Sequence, residues 1–342
     1  MKKRALGMIL AMLLCVTMFT GVISAQAEEM LPPVEETGAA EEAIEMAEDG
    51  LEMIIRADSD AELSEAEQYY QLGRVADDNK DYETALEYYR KATVLGNAGA
   101  MNSLGFYYYN GYGVEKSYEE ANRWFRHAAN AGNMAAMYNL GTNYEHGRGV
   151  QQDYQLALEW LMKAADLGHA NAMNEIGYIY ETEYKEYDKG LEWYRKAANA
   201  GNNTAMCNVG LCYLYERGTS KDYALAVEWF QKAGEAGNGR GYYYIGNLLY
   251  NGEYFEKNLT KAWRFFKAGA DLNDAQSEYM LGVYYENGYE VPQDYAKALE
   301  WYGKSINNGS DWCTEHATAN IERMVSEGKV SAEAAAKWLG KK

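Results

Sequence analysis

The sequence predicts an all-α fold, a right-handed α-solenoid of about seven antiparallel helix-pair repeats that ends in a C-terminal helical cap. The first observation behind this prediction is a unit that recurs from residue 65 to residue 310, at steps of 32 to 36 residues. The second is that only three prolines interrupt the 342 residues. One helix pair cannot bury both of its apolar faces, and neighbouring copies must therefore stack on each other.

The repeat between residues 136 and 168 shows how each unit is built. Its first helix carries an apolar stripe at the spacing i, i+3, i+4 and i+7, formed by Met137, Leu140, Gly141 and Tyr144. A glycine-rich turn follows, and Asp153 then stands where the second helix needs an N-cap. Gly168 closes that helix, because glycine readily adopts the left-handed conformation of a C′ residue.

A glycine keeps the same place in the first helix of every repeat. The seven positions are Gly73, Gly105, Gly141, Gly177, Gly210, Gly246 and Gly282. A glycine inside a helix costs roughly 0.5–1 kcal/mol relative to alanine, so we expect close packing of the second helix to compensate. A column of large aromatic residues in the second helix is predicted to cover the gap as part of the core. It consists of Tyr88, Trp124, Trp160, Trp193, Trp229, Phe265 and Trp301.

A small polar residue precedes the second helix in six of the repeats. These residues are Asp81, Ser117, Asp153, Asp222, Asn258 and Asp294. We predict that they are N-caps and not metal ligands, because each stands just before a helical stripe. After Gly309 the pattern changes, and two further helices are predicted at residues 311–327 and 331–339. Residues 311–342 are therefore interpreted as a cap, with Trp338 covering the last core.

The N-terminal 27 residues have the features of a secretory signal peptide. Lys2, Lys3 and Arg4 precede an apolar run that ends at Ile23, and an Ala-Gln-Ala site ends at Ala27. The alternative is an uncleaved membrane anchor. No other stretch has the ~20 apolar residues that a membrane span needs. We therefore expect export to the periplasm, the cell surface or the medium, with no transmembrane anchor after cleavage.

Residues 28–64 are predicted to form an acidic spacer that is mostly disordered, although residues 39–56 could form an amphipathic helix. Signal-peptide removal takes away three of the 32 basic residues and none of the 51 acidic residues, which leaves a net charge of −22. Nucleic-acid backbones are themselves negative, so this charge argues against a nucleic-acid partner. We expect a monomer.

The repeats resemble the Sel-like repeat (SLR) family, a longer-turned relative of the tetratricopeptide repeat, over residues 65–310. The shared motifs are Ala-x4-Gly-x2-Tyr, Gly-x-Gly-Val, Asp-Tyr-x2-Ala and Trp-x-x-Lys-Ala-Ala. The resemblance implies a scaffold or adaptor that binds other proteins, often through the concave surface of the solenoid. Some exported bacterial members carry a disulfide in every repeat. This chain lacks that cysteine pattern, so activities suggested for those members are not carried over.

No constellation of catalytic residues stands out, and we predict a protein that is not an enzyme and uses no cofactor or metal. The four histidines are scattered without a metal-ligand spacing. Three cysteines follow the leader, namely Cys207, Cys212 and Cys313. They either pack as free thiols, which we expect, or form an intermolecular bridge.

A second line of side chains runs beside the core stripe of each first helix, at positions −3, +1 and +4 from the glycine. By the tetratricopeptide resemblance this line faces the concave groove. Its tyrosines and asparagines suit peptide binding, because they offer rigid amphipathic surface and amides. The candidates are Tyr70, Asn102, Tyr109, Tyr138, Asn174, Tyr178, Tyr243, Asn247 and Tyr279. Two alternatives stay open: a glycan- or cell-wall-binding module that uses the tyrosines, and plain packing between repeats.

Overall fold

The computed structural model describes residues 64–340, which contain sixteen α-helices and no strand. The predicted signal peptide at residues 1–27 lies outside the described residues. So do residues 28–63 of the predicted acidic spacer, and residues 341 and 342. The chain divides into two compact units, with the boundary between residues 133 and 134.

The first unit contains two helix pairs within its described residues. They are α1 (Glu65–Asp78) with α2 (Tyr82–Val94), and α3 (Ala98–Asn110) with α4 (Tyr118–Asn130). Within this unit α1 packs on α2, α2 on α3, and α3 on α4. Ala85 and Ala92 of α2 and Ala100 of α3 have no exposed surface, which lets these helices approach closely.

The second unit contains five helix pairs and two cap helices. The pairs are α5 (Met134–His146) with α6 (Tyr154–Asp166), α7 (Ala170–Thr182) with α8 (Tyr187–Asn199), α9 (Asn203–Tyr215) with α10 (Tyr223–Glu235), α11 (Gly239–Asn251) with α12 (Leu259–Asp271), and α13 (Ala275–Asn287) with α14 (Tyr295–Asn308). The cap helices are α15 (Asp311–Ser326) and α16 (Ala332–Leu339). Consecutive helices pack together, and first helices also touch first helices, α5 with α7 and α11 with α13. The prediction of an all-α helix-pair solenoid is confirmed.

The helix ends follow the predicted capping chemistry. All six polar residues predicted as N-caps accept a hydrogen bond from the backbone N–H three residues later. Asp153, for example, accepts from the N–H of Leu156 at 3.0 Å. Gly168 has a φ of +91°, as a C′ residue requires. In the one repeat without a glycine at this point, Asn273 adopts a φ of +60°, which asparagine tolerates better than most residues.

The close approach at the seven recurring glycines is confirmed, but the predicted covering column is wrong by one residue. A Cβ atom added to Gly210 would lie 2.5 Å from the ring of Phe230, and the ring of Trp229 is not among its neighbours. The residues that cover the seven glycines are Tyr89, Phe125, Leu161, Tyr194, Phe230, Phe266 and Tyr302. One residue corresponds to a turn of about 100° around a helix, so the predicted column points to the side of this contact.

The aromatic column that the sequence predicted to cover the glycines lies nearer the surface of the second helices. Except for the buried Trp124, its members are half-buried. In four repeats a lysine three residues later lies over the indole ring, as in Trp160 with Lys163, where the Nζ atom is 3.9 Å from the ring centroid. The Trp-x-x-Lys motif therefore encodes a cation–π contact on the second helix.

The cap covers the apolar end of the last repeat. Ile321 and Met324 of α15 have no exposed surface. Trp338 of α16 packs tightly on α14, since a Cβ atom added to Gly303 would lie 2.0 Å from its indole. Within residues 64–340, no helix has the length and apolar character that a membrane span requires.

Candidate partner-binding face

The nine side chains predicted to bind a partner lie on the first helices but differ in exposure. Tyr178 is the most open, with 47% of its surface exposed. Asn174 is buried, at 8%. The other seven are half-buried: Tyr70, Asn102, Tyr109, Tyr138, Tyr243, Asn247 and Tyr279. We call the side of the first helices that carries these residues the first-helix face; what it binds stays a prediction.

Two tyrosines of this face pack against the repeat or the cap that follows within their own unit. The ring of Tyr138 stacks on the ring of His169 with centroids 4.6 Å apart, and His169 is the N-cap of α7. The ring of Tyr279 lies 5.4 Å from that of Trp312 in α15. Its hydroxyl also accepts a hydrogen bond from the Asn320 side chain at 3.2 Å. These tyrosines therefore join neighbouring repeats, as the packing alternative predicts, and hold the face rigid.

In the first unit two of the predicted tyrosines also pack on other helices, Tyr70 on the next repeat and Tyr109 within its own repeat. Tyr70 lies against α3, since a Cβ atom added to Gly99 would come within 2.9 Å of its Cζ atom. The ring of Tyr109 contacts that of Tyr118 edge-on, with centroids 4.9 Å apart. Phe106, which was not among the predicted residues, is 48% exposed and the most open aromatic side chain in the described part of this unit.

Asn174 is an inter-repeat link more than an open binding group. Its side-chain oxygen accepts a hydrogen bond from Nδ2 of Asn208 in α9 at 2.9 Å. Asn208 is half-buried and lines a cavity of about 450 Å³ between α9 and α11, together with Cys207, Leu211 and Tyr244. The cavity offers amide, phenol and apolar surface together. Sequence reasoning chose none of these four residues as a site, although Cys207 and Leu211 stand in the predicted line.

The three cysteines among residues 64–340 do not offer reactive thiols. Cys207, Cys212 and Cys313 are free and buried. Burial raises the pKa of Cys207 and of Cys212 to about 12, so both are protonated near neutral pH. The expectation of free thiols that pack as apolar groups is confirmed for these three residues.

Buried carboxylates at position +4 of the first helices form a recurring structural element. In α7, Glu181 accepts from the Tyr194 hydroxyl at 2.7 Å and from Nη1 of Arg217 at 2.5 Å. In α13, Glu286 accepts from the Tyr302 hydroxyl at 2.7 Å and from the guanidinium of Arg323. In both repeats the tyrosine is the residue that covers the recurring glycine, and the arginine comes from the following repeat or the cap.

Glu145 occupies the same position in α5 but lacks both partners. It is 5% exposed, and its Oε2 atom has no hydrogen-bond partner. The residue that covers Gly141 is Leu161, which has no hydroxyl group. The turn after α7 is Glu-Tyr-Lys-Glu and contains no arginine. Nδ1 of His146 lies 3.8 Å from Oε2, and that nitrogen already forms a 2.9 Å hydrogen bond with the Thr142 carbonyl.

The surroundings of Glu145 are acidic. Burial, followed by the charges of Glu175 and Glu183, raises the pKa of Glu145 to about 7, although Arg148 acts in the opposite direction. Burial also raises the pKa of Glu175 and of Tyr138, and the charge of Glu145 contributes to the latter. We call Tyr138, Glu145, Glu175 and Glu183 the Glu145 site. In the range 64–340, no group of three or more His, Cys, Asp and Glu side chains is arranged to hold a metal ion.

The signal for the Glu145 site was present in the aligned repeats. Position +4 is acidic in α1, α5, α7 and α13, but of these four repeats only the α5 repeat has leucine instead of tyrosine as the covering residue. This exception is visible in the sequence only when the covering position is assigned correctly. The error of one position in the aromatic column therefore concealed the site.

Comparison with protein families identifies the repeats. The model of the Sel1 repeat matches seven consecutive segments, namely residues 57–97, 98–133, 135–169, 170–202, 203–238, 239–274 and 275–310. The chain belongs to the Sel1 repeat family. The resemblance seen in the sequence is thus confirmed, and it covers most of the chain. Sel1 repeat proteins generally mediate protein–protein interactions, and their scaffold is typically non-catalytic.

Solved structures include other Sel1 repeat proteins. A Sel1 repeat protein from Oxalobacter formigenes is 29% identical to this chain, and the match covers 69% of this chain and 98% of that protein with a TM-score of 0.63. The protective antigen c5321 of uropathogenic Escherichia coli, which displays an SLR fold, is 25% identical over 88% of this chain and 71% of its own, with a TM-score of 0.44. A comparison with curated protein sequences gave no match.

Proposed function

We propose that this Sel1 repeat protein is an exported, non-enzymatic scaffold that binds a peptide or protein segment along the first-helix face of its second unit. The observation that carries the proposal is the combination of rigidity and partial exposure on this face. Tyr178 is 47% exposed, while Tyr138 and Tyr279 are fixed by ring contacts. A rigid aromatic surface binds with little loss of side-chain entropy.

The cavity between α9 and α11 supports the same proposal. It places the amide of Asn208 beside the phenol of Tyr244 and the apolar side chain of Leu211. An amide can donate to and accept from a peptide backbone, while the apolar neighbours take up a side chain. Trp312, 42% exposed and stacked on His316 at a centroid distance of 4.1 Å, adds an open aromatic ring beside Tyr279.

Cross-linking capture from the native cell surface tests the scaffold function. Protein that starts at Glu28 is cross-linked to its neighbours, and captured proteins are identified by mass spectrometry. Wild type is compared with Tyr178→Ala and with Tyr254→Ala, which removes a 55% exposed tyrosine in the turn after α11. We expect the same captured protein with wild type and Tyr254→Ala, and at least ~30-fold weaker binding of the purified partner to Tyr178→Ala, as for a hot-spot residue.

Two other results would redirect the proposal. Equal binding by both tyrosine variants would remove the first-helix face from consideration. Binding to cell-wall glycans on an array, lost on removal of Tyr178 but kept on removal of Asn208, would favour the glycan-binding alternative. Export is tested separately by intact-mass spectrometry of secreted material, for which we expect Glu28 as the N-terminal residue.

A further inference from the structure

Glu145 differs from two carboxylates at the same place in the repeat. Glu181 and Glu286 each receive a tyrosine hydroxyl and an arginine guanidinium. Both acids have the same two donors, because a carboxylate removed from water needs hydrogen bonds to offset its desolvation. Glu145 is the most buried of the three, with its side chain 6% exposed against 13% for Glu181 and 7% for Glu286.

We propose that the Glu145 site binds an arginine side chain supplied by the partner, in the place that Arg217 and Arg323 take within the chain at the equivalent carboxylates. The inference rests on the proposed function, since it assigns the chemistry that one point of the first-helix face recognises. It is carried by the Oε2 atom of Glu145, which is buried and has no hydrogen-bond partner.

The surroundings favour a cation of this type. Glu175 and Glu183 add negative charge beside Glu145, and a guanidinium can donate to more than one carboxylate because its five N–H groups point in fixed directions. The two equivalent glutamates, Glu181 and Glu286, both pair with arginine and not with lysine, whereas the shorter Asp77 at this position in α1 accepts from the Tyr107 hydroxyl.

Access to the carboxylate requires only a side-chain movement. Nδ1 of His146 lies 3.8 Å from Oε2, and the His146 side chain is 47% exposed. Glu183 is also exposed. Exposed side chains change rotamer within nanoseconds, so an incoming arginine can displace the imidazole and reach Oε2. The backbone of α5 and α7 need not move.

The probe for a direct test is Nα-acetyl-arginine amide, with Nα-acetyl-citrulline amide as its uncharged counterpart of the same shape. Each is titrated at low ionic strength into protein that starts at Glu28 and carries 13C-labelled glutamate side chains. The Glu145 carboxyl resonance is assigned by its loss in Glu145→Gln. We expect this resonance to shift with the arginine probe, and the citrulline probe to bind at least ~10-fold more weakly, in line with a charged hydrogen bond.

The matched control variant is Glu159→Gln, which removes an exposed acid from the second helix α6. We expect Glu145→Gln to weaken binding of the arginine probe by at least tenfold, and Glu159→Gln to change it by less than twofold. Circular dichroism melting verifies that both variants are folded. An unmoved Glu145 resonance at saturating arginine, equal binding of citrulline, or equal loss in both variants would each overturn the proposal.

These outcomes separate the arginine site from the scaffold function. A protein that captures a partner through Tyr178 but ignores the arginine probe would keep the scaffold and lose the site. A protein that binds the arginine probe through Glu145 and captures no partner would keep the site and lose the scaffold.

Discussion

The guanidinium of Arg217 donates to the carboxylate of Glu181 at 2.5 Å, across 36 residues of sequence. This contact joins the end of α9 to the first helix of the preceding repeat. Because each repeat packs mainly on its neighbours, such contacts determine how strongly stability is coupled along the array. The same contact also shows which donor the unpaired Glu145 lacks.

Arg217→Ala should destabilise the protein by about 1–2 kcal/mol. The change leaves the Glu181 carboxylate, 13% exposed, with only the Tyr194 hydroxyl as its donor. The estimate stays below that for a fully buried pair because Arg217 is 44% exposed and solvent screens the interaction. Urea titration followed by circular dichroism measures the change.

The control for this prediction is Arg123→Ala. Arg123 pairs with Glu120 at 2.9 Å, but its side chain is 72% exposed. We expect Arg123→Ala to lower the free energy of unfolding by no more than about 0.5 kcal/mol, because such a surface pair contributes little. If Arg123→Ala lost as much stability as Arg217→Ala, the burial of the carboxylate would not determine how much each ion pair stabilises the protein.

Glu145→Gln should stabilise the protein at neutral pH and have little effect at acid pH. The folded-state pKa of about 7 lies above the usual value of 4.5. The folded protein therefore holds this proton more tightly than the unfolded chain does, and ionisation costs stability as pH rises through the window from 4.5 to 7. Glutamine resembles the protonated acid at every pH. The advantage of the variant should grow to roughly 3 kcal/mol above pH 7.

Denaturant titrations at pH 4.5, 6 and 7.5 measure this trend for wild type and Glu145→Gln. The parallel series for Glu159→Gln should show no such growth, because Glu159 is exposed. Curves for wild type and Glu145→Gln that stay parallel across this pH range would contradict the assignment of an unpaired buried acid.

Phe230→Ala and Trp229→Ala test which aromatic column forms the core. Phe230 has no exposed surface and covers Gly210, so its truncation should cost about 3–5 kcal/mol. Trp229 is half-buried under Lys232, and its removal should cost clearly less, about 1–2 kcal/mol. Guanidinium titrations compare the free energies of unfolding of the two variants. A larger loss of stability in Trp229→Ala would show that the column predicted from the sequence forms the core.

The repeat register, the helix pairs and the N-caps could be predicted because they depend on local sequence. Asp153 needs only its own helix to act as a cap. The covering column was predicted wrongly because the recurring tryptophan is the largest apolar residue of the second helix. The true covering position, one residue later, varies between tyrosine, phenylalanine and leucine. The exposure of the face could not be predicted either. It depends on contacts between residues some thirty positions apart, such as Asn174 with Asn208.

The tyrosines of the first-helix face should separate into two classes when each is replaced by alanine. Tyr138 stacks on His169, the N-cap of the next first helix, so Tyr138→Ala should lower the thermal transition as well as binding. Tyr178 is 47% exposed, so Tyr178→Ala should change the free energy of unfolding by no more than about 0.5 kcal/mol. Its effect should be on binding alone. At a hot spot, a loss of about 2 kcal/mol weakens binding ~30-fold.

Calorimetry against the captured partner and differential scanning measurements on the free protein together distinguish the two classes. Tyr254→Ala should change partner binding by less than twofold, because Tyr254 lies in a turn outside the first-helix face. If Tyr178→Ala binds the partner as wild type does while Tyr138→Ala loses binding only in proportion to its lost stability, the tyrosines serve packing alone. The binding surface would then have to be sought in the turns or in the acidic segment at residues 28–64.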